Sequence, residues 1–296
     1  LKIGLIDVDG HNFPNLALMK ISAYHKSKGD NVEWYEPMFS GHMNKVYMSK
    51  VFSFTNDFVY NIDADEVIKG GTGYDLNNKL PLEIETMYPD YDLYKIKDTA
   101  YGYLTRGCPR GCKFCIVAEK EGKCSKKVAN LNQFWKGQKE IKLLDPNILA
   151  CKDWQNLFQQ LIDSKAYVDF TQGLDIRLMT DEKADMLNKI KVKMIHFAWD
   201  NYEFKTYEKL KEFRPKLNFN FRKLRVYVLT NFNTTFEQDL DRIYKLKDLG
   251  YDPYVMIYEK WNAPKNIRQL QRWVNCKFIF RSASAQTFED YKANVG

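Results

Sequence analysis

The chain has 296 residues, with 45 Lys plus Arg against 38 Asp plus Glu, for a formal net charge of +7. Apolar residues make up 45% and aromatic residues 15%, which excludes a disordered chain and is enough core for one large domain or two ordinary ones. No stretch nears the ~20 apolar residues of a membrane span, the start has no secretory pattern, and so mild a charge permits a polyanionic partner without demanding one.

Residues 2–8 read as a buried strand. A helix is predicted from about Pro14, with Pro in its first turn and Gly29 just past its end. Strands at 32–35 and 46–54 follow, then a strand within 61–73 that ends in the turn Gly70-Gly71-Thr72-Gly73. This order suggests a small doubly wound, Rossmann-like α/β domain over 1–98, with 74–98 as a linker. From Thr99 a second α/β series begins. A strand at 100–105 leads into a group of cysteines, and 141–144 is another strand. Trp154, Leu157, Phe158, Leu161 and Ile162 have helical spacing. A short strand at 168–170 precedes a helix capped by Thr180. Strands at 194–198 and 224–229 come next. Thr234-Thr235-Phe236-Glu237 reads as a capping box for a helix closed by Gly250. A strand at 254–258, a helix at 266–274 and a last strand at 277–280 complete the series. Repeated strand–helix pairs over 99–296 predict a full or partial TIM-type parallel barrel.

The six cysteines are the informative count. Cys108, Cys112 and Cys115 fall within eight residues, while Cys124, Cys151 and Cys276 stand apart. A secreted disulfide scaffold is shorter and richer in cysteine, so the expected setting is the reducing cytoplasm. The spacing Cys-x3-Cys-x2-Cys puts three thiolates on one tight loop. Such a loop can hold three irons of a 4Fe–4S cubane and leave the fourth open to chelate a small molecule. Gly107 and Gly111 allow sharp turns, and Arg106, Arg110 and Lys113 offset the negative charge of thiolates and sulfides. Two other readings stand beside this one. One is a zinc site completed by Cys124, His11 or His196; the other is three ordinary thiols.

Arg106-Gly-Cys-Pro-x-x-Cys-x-Phe-Cys115, at the end of the first predicted barrel strand, resembles the radical S-adenosylmethionine (SAM) superfamily. Within it, the wording is similar to the branch of cobalamin-binding radical enzymes and RNA methylthiotransferases. The resemblance implies a 4Fe–4S cluster on Cys108, Cys112 and Cys115. It also implies SAM on the open iron, a flavodoxin or ferredoxin as reductant, and a 5′-deoxyadenosyl radical that takes hydrogen from substrate. Phe114 occupies the aromatic position near the adenine. Asp145-Pro-Asn147 stands where the family often has a Gly-Gly-Glu-type contact to the SAM amino group, though the wording differs. Gln172 and Asp175 can take ribose hydroxyls and Arg177 a carboxylate, with a structural Asp175–Arg177 ion pair as the alternative. Asp200 and Asn231 occupy equivalent strand-end positions.

Asp9-Gly10-His11-Asn12-Phe13-Pro14 resembles the Asp-x-His-x-x-Gly signature of cobalamin domains. Pro14 replaces the final glycine, so bound cobalamin is not expected. Gly70-Gly71 partly echoes that domain's later glycine pair. Asp65 with Gly70 resembles the ending it has in enzymes without the cofactor. His11 reads either as a loop histidine capping the helix near Asn12 or as a substrate contact.

The opening residues resemble a subgroup of small radical SAM proteins, whose implied activity is that of a queuine lyase. That reaction removes the cyclopentenediol from queuine and returns 7-aminomethyl-7-deazaguanine. A deazaguanine presents adjacent N–H donors that a carboxylate accepts as a pair. Asp9, Asp200 and Glu259 are strand-end candidates, with Phe13, Tyr35 and Tyr258 to stack on the base. A methylthiotransferase carries a second cluster on N-terminal cysteines, and none precedes Cys108. A cobalamin-dependent methyltransferase and a zinc-binding interaction module remain as alternatives. The expected partner is a small molecule; no membrane or nucleic-acid partner is expected.

Overall fold

The computed structural model describes residues 1–10 and 13–295. The chain divides into two compact units: Leu1–Gly102 with Leu131–Gln138, and Tyr103–Asn130 with Lys139–Gly296.

In the first unit four parallel strands lie in the order β2-β1-β3-β4. Strand β1 (Lys2–Asp7) is buried along its length, as an inner parallel strand covered on both faces must be. Helix α1 (Leu16–Ser27) starts later than expected. Pro14 lies outside it, and the Asn15 side chain caps it by accepting from the Ala17 and Leu18 N–H groups. Strand β2 (Asn31–Trp34) agrees with expectation. Strand β3 (Met43–Ser49) lies earlier than the expected 46–54. It stops because the Asp9 carboxylate accepts the Val51 and Phe52 N–H groups at 2.8–3.0 Å and draws the backbone off the ladder. Strand β4 (Ala64–Gly70) ends at Gly71, whose φ of +96° and distance of 2.2 Å from a would-be Cβ to the Lys50 carbonyl oxygen admit only glycine. The chain passes from β1 through α1 to β2 and returns to β3 on the other side of β1. In such sheets this reversal opens a crevice at the strands' carboxyl ends. Short helix α2 (Leu82–Glu85), a 3-10 turn at Tyr91–Tyr94 and strand β5 (Thr99–Gly102) follow.

The second unit opens with a two-strand ribbon, β6 (Thr105–Arg106) against β7 (Lys126–Lys127), enclosing short helix α3 (Val117–Lys120). Then come β8 (Glu140–Leu143), α4 (Trp154–Ser164), β9 (Tyr167–Leu174), α5 (Asp181–Lys189), β10 (Val192–Ala198), α6 (Phe204–Phe213), β11 (Leu224–Thr230), α7 (Phe236–Asp248) and β12 (Asp252–Ile257). Strands β8 to β12 pair in chain order, all parallel. Strand β9 is longer than expected, and α6 was not anticipated, although Thr206, Leu210 and Phe213 bury one face at helical spacing.

The last part corrects the sequence reading. After α8 (Lys265–Asn275), residues 277–280 form a short helix, α9 (Lys277–Phe280), and not a strand; α10 (Phe288–Val295) follows. The cause lies on the outer edge of β12. The Asn275 amide accepts from the Val255 N–H at 2.8 Å and donates to the Val255 carbonyl at 3.0 Å, and Gln271 donates to the same carbonyl. The groups a further strand would use are taken. Phe280 instead packs with Trp273, Ala285 and Phe288, while Phe278 is 93% exposed. The sheet ends at β12, so a full barrel does not close. The capping box also sits one residue later, on Thr235 and Gln238. Among the described residues no helix is long and apolar enough to cross a membrane.

Candidate functional site

The cysteine loop grows from the β6/β7 ribbon, where Arg106 pairs with Lys126 and closes the stem. Gly107 has a φ of +85°, and a Cβ there would lie 2.3 Å from the Cys124 carbonyl oxygen, so the crossing of the two stems requires glycine. The Cys108 N–H donates to the Gly122 carbonyl at 3.1 Å, and the Cys115 N–H to the Cys112 carbonyl at 3.0 Å. Cys108 and Cys112 are half-buried and Cys115 is exposed. Arg106 and Arg110 do not stand free to offset thiolate charge: Arg106 pairs with Glu121 at 2.9 Å, and Arg110 with Asp175.

Burial pushes the Cys112 and Cys115 thiols up, and the neighbouring charges of Asp200 and the other cysteines add to it. Thiols held protonated in this way release protons when a metal binds. Among the described residues no three His, Cys, Asp or Glu side chains are grouped to hold one ion. A cubane makes a different demand, because each thiolate binds a separate iron.

Two buried polar side chains after β8 brace this loop. Asp145 accepts from the Leu104 N–H at 3.1 Å, from the Thr105 N–H and from the Thr105 hydroxyl at 2.7 Å. It thereby fixes the chain entering the loop, and burial pushes its pKa up to about 6 against these hydrogen bonds. Asn147 is 2% exposed, and its amide Nδ2 lies 3.5 Å from the Cys108 sulfur. Its backbone carbonyl accepts from the Ser125 hydroxyl at 2.8 Å, and its Oδ1 is buried without a hydrogen-bond partner. A soft thiolate trio, an N–H donor on one sulfur and an orphaned acceptor beside it fit an iron–sulfur cluster carrying a ligand with its own N–H donors.

The carboxyl ends of the later strands bring further groups. Asp175 binds Arg177 at 2.8 Å and also Arg110, tying the end of β9 to the cysteine loop. Burial works against its charge, but the two guanidinium groups hold its carboxyl below the ordinary carboxylate range. Arg177 lies 3.6 Å from Glu203 as well. Gln172 is exposed on β9. Asp200, after β10, is pushed up to about 6 by burial, with Arg242 and Arg177 opposing the shift. Phe114 meets Phe232 at 5.5 Å between ring centroids, and Phe232 meets Tyr258 at 4.9 Å. Asn231 donates to the Tyr258 carbonyl at 2.8 Å. Glu259 accepts from Asn262 at 3.1 Å.

Sequence reasoning passed over Phe232 and Arg242. Arg242 is wholly buried in an ion pair with Asp239, and its guanidinium donates to the carbonyls of Trp199, Asp200 and Leu229. It also donates to the Thr234 hydroxyl at 3.2 Å, and so ties the loop after β10 to the end of β11 and the loop that follows it. An Asp and an Arg three residues apart on the buried stripe of α7 were the available signal.

In the first unit Asp9 is buried, with both carboxylate oxygens on backbone N–H groups. Phe13 is 44% exposed and meets Tyr101 edge-on at 5.3 Å. The Tyr35 hydroxyl accepts from the Asp63 N–H at 2.9 Å. His11, with Asn12, lies outside the described residues.

No family model matches the chain, and no curated protein does. Among solved structures, it is similar to the radical SAM methyltransferase TsrM from Kitasatospora setae, determined with cobalamin and a 4Fe–4S cluster bound. The likeness covers 86% of this chain and 74% of that one, with a TM-score of 0.61 at 11% identity. It shows a shared fold of α/β units with parallel sheets.

Proposed function

We propose that the chain is a radical SAM enzyme. The observation that carries this reading is the ribbon-closed loop bearing Cys108, Cys112 and Cys115, beside the strand ends of an open parallel sheet. The fold shared with a radical SAM methyltransferase supports it. These cysteines would hold the cluster, which supplies the electron that splits SAM. The chain's own groups then have distinct tasks. The Asn147 amide donates to the Cys108 sulfur, and its free Oδ1 accepts from the SAM amino group. Phe114, backed by Phe232 and Tyr258, bounds the adenine. Asp175 keeps Arg177 and the loop in place.

The finer reading is a lyase acting on a 7-deazaguanine base, converting queuine to 7-aminomethyl-7-deazaguanine. It rests on the resemblance of the opening residues and on strand-end carboxylates able to accept paired N–H groups. Since Asp9 is engaged with backbone, Asp200 and Glu259 are the carboxylates left for that task. A second reading, a cobalamin-dependent methyltransferase, is favoured by the cobalamin in the TsrM structure.

Anaerobic reconstitution tests the class. About four irons per chain are expected, with 5′-deoxyadenosine formed from SAM and dithionite. Cys108→Ala, Cys112→Ala and Cys115→Ala should each lose the cluster, and retained iron in all three sinks the assignment. With queuine, the lyase reading expects 7-aminomethyl-7-deazaguanine by mass spectrometry. S-adenosylhomocysteine together with a corrin absorbance that survives gel filtration decides for the methyltransferase.

A further inference from the structure

Two side chains of the proposed site open matching turns. Asn147 precedes the 3-10 turn Ile148–Ala150 after β8, and Asp175 precedes the 3-10 turn Ile176–Leu178 after β9. In each, the carbonyl of the opening residue accepts from the N–H three residues on, at 3.2 Å for Asn147 and 2.9 Å for Asp175. A single helical turn leaves its last carbonyls without partners inside the turn. Here the same group takes one carbonyl from each turn. Lys183 Nζ donates to the Leu149 carbonyl at 3.0 Å and to the Leu178 carbonyl at 2.9 Å.

Helix stability does not account for a lysine at this position. Lys183 lies in the first turn of α5, where the helix dipole favours Asp181 and Glu182 and opposes a positive charge. Burial lowers its pKa, with Asp175 and Glu182 opposing the shift. A partly buried ammonium needs good acceptors, and those it has are the two carbonyls, with the Trp154 ring centroid 5.3 Å away. Its backbone is fixed as well, because the Lys183 N–H donates to the Thr180 hydroxyl that caps α5, at 3.3 Å. Hydrogen bonds from a charged donor are stronger than neutral ones, so one ammonium ties the two turns firmly. Leu149 follows Asn147 closely, and Leu178 directly follows Arg177. Both turns are packed from below by Ile148 and Ile176, which are fully buried.

We infer that Lys183 is a positioning residue whose ammonium clasps the two turns and so holds the Asn147 amide against the Cys108 sulfur, in register with Asp175 and Arg177. The inference rests on the roles given to Asn147, Asp175 and Arg177 in the radical SAM reading. Lys183 acts through the turns and takes no part in the chemistry.

Lys183→Met keeps the stem and removes the donors. Hydrogen exchange of the full chain, read by mass spectrometry, should quicken at least about tenfold in segments 147–151 and 175–179 together, and stay unchanged in α7. Lys183→Gln, a milder change too short to reach both carbonyls, should give the same pattern. Glu182→Ala is the control. It cuts the 2.6 Å bond from Gln155 that joins α4 to α5, and should leave both turns as in wild type. In the reconstituted protein Lys183→Met should keep its iron and lower the cluster's reduction potential by at least about half the shift caused by Asn147→Leu. Added to Asn147→Leu, it should lower the potential no further, because the contact it positions is already gone. A lysine that only stabilised the fold would quicken exchange in α7 as well and leave the potential where it was. The inference is overturned by unchanged exchange at the turns, by loosening of one turn alone, or by equal loosening in Glu182→Ala. It is also overturned if Asn147→Leu lowers the potential and Lys183→Met does not, or if the two shifts add in full. A wild type that takes up no iron sinks the enzyme reading, and exchange alone then decides for or against the clasp.

Discussion

Asn147 is the residue at which the site's electronics and its geometry meet. A hydrogen bond to a cluster sulfur stabilises the charge added on reduction, so it raises the potential. Asn147→Leu keeps the side chain's approximate shape and removes the donor 3.5 Å from the Cys108 sulfur. The expected outcome is a full complement of iron with a lowered reduction potential, read by an electron-paramagnetic-resonance redox titration. An unchanged potential would mean that the contact does not tune the cluster. The cysteines were legible because their spacing is local: within eight residues the chain itself dictates that three sulfurs share a loop. Asp145 and Asp175 were legible only as candidates. Their work of binding the Leu104 and Thr105 amides and linking Arg110 to Arg177 depends on strands brought together from far apart in the chain.

Helix α7 shows the same division at the scale of an element. Its capping signal and apolar stripe were readable, yet its main task is done by the buried ion pair of Arg242 and Asp239. Removing one member of such a pair strands a charge in the interior, so Arg242→Met should cost about 3–5 kcal/mol in urea unfolding. Replacing both, Arg242→Met with Asp239→Leu, should restore much of that loss. A double variant as unstable as the sum of the singles would show that the carbonyl bonds to Trp199, Asp200 and Leu229 dominate. Residues 277–280 teach the converse. Lys-Phe-Ile-Phe alternates like a strand, but alternation needs a free edge to pair with, and Asn275 and Gln271 occupy the edge of β12. A side chain's bond to a distant backbone group leaves no trace in local pattern.

Across the whole molecule, stability against pH sums groups of opposite sign. His196 is buried, donates from Nδ1 to the Phe170 carbonyl at 2.8 Å and stacks on Tyr227 at 4.9 Å. Burial lowers its pKa from 6.5 to about 4. A base depressed in the folded state contributes stability above its unfolded pKa and loses it as pH falls toward the folded value. Asp145 and Asp200, both raised to about 6, run the other way and lose stability as pH rises through that value. The total profile is therefore flattened, and the difference between wild type and His196→Gln isolates the imidazole. Between pH 7 and pH 5 the wild type should lose about 2 kcal/mol relative to the variant in urea unfolding. Parallel profiles would refute the burial of a neutral imidazole. By itself the sequence determined the alternation of strands and helices and the clustering of thiols, because periodicity and short spacing act within a few residues. Where β3 stops, why the sheet stays open, which acids are already engaged and which arginine holds the strand-end loops were decided by tertiary structure alone. Each depends on a buried hydrogen bond or ion pair between groups that only the fold brings together, and the cost of leaving such groups unpaired selects the arrangement.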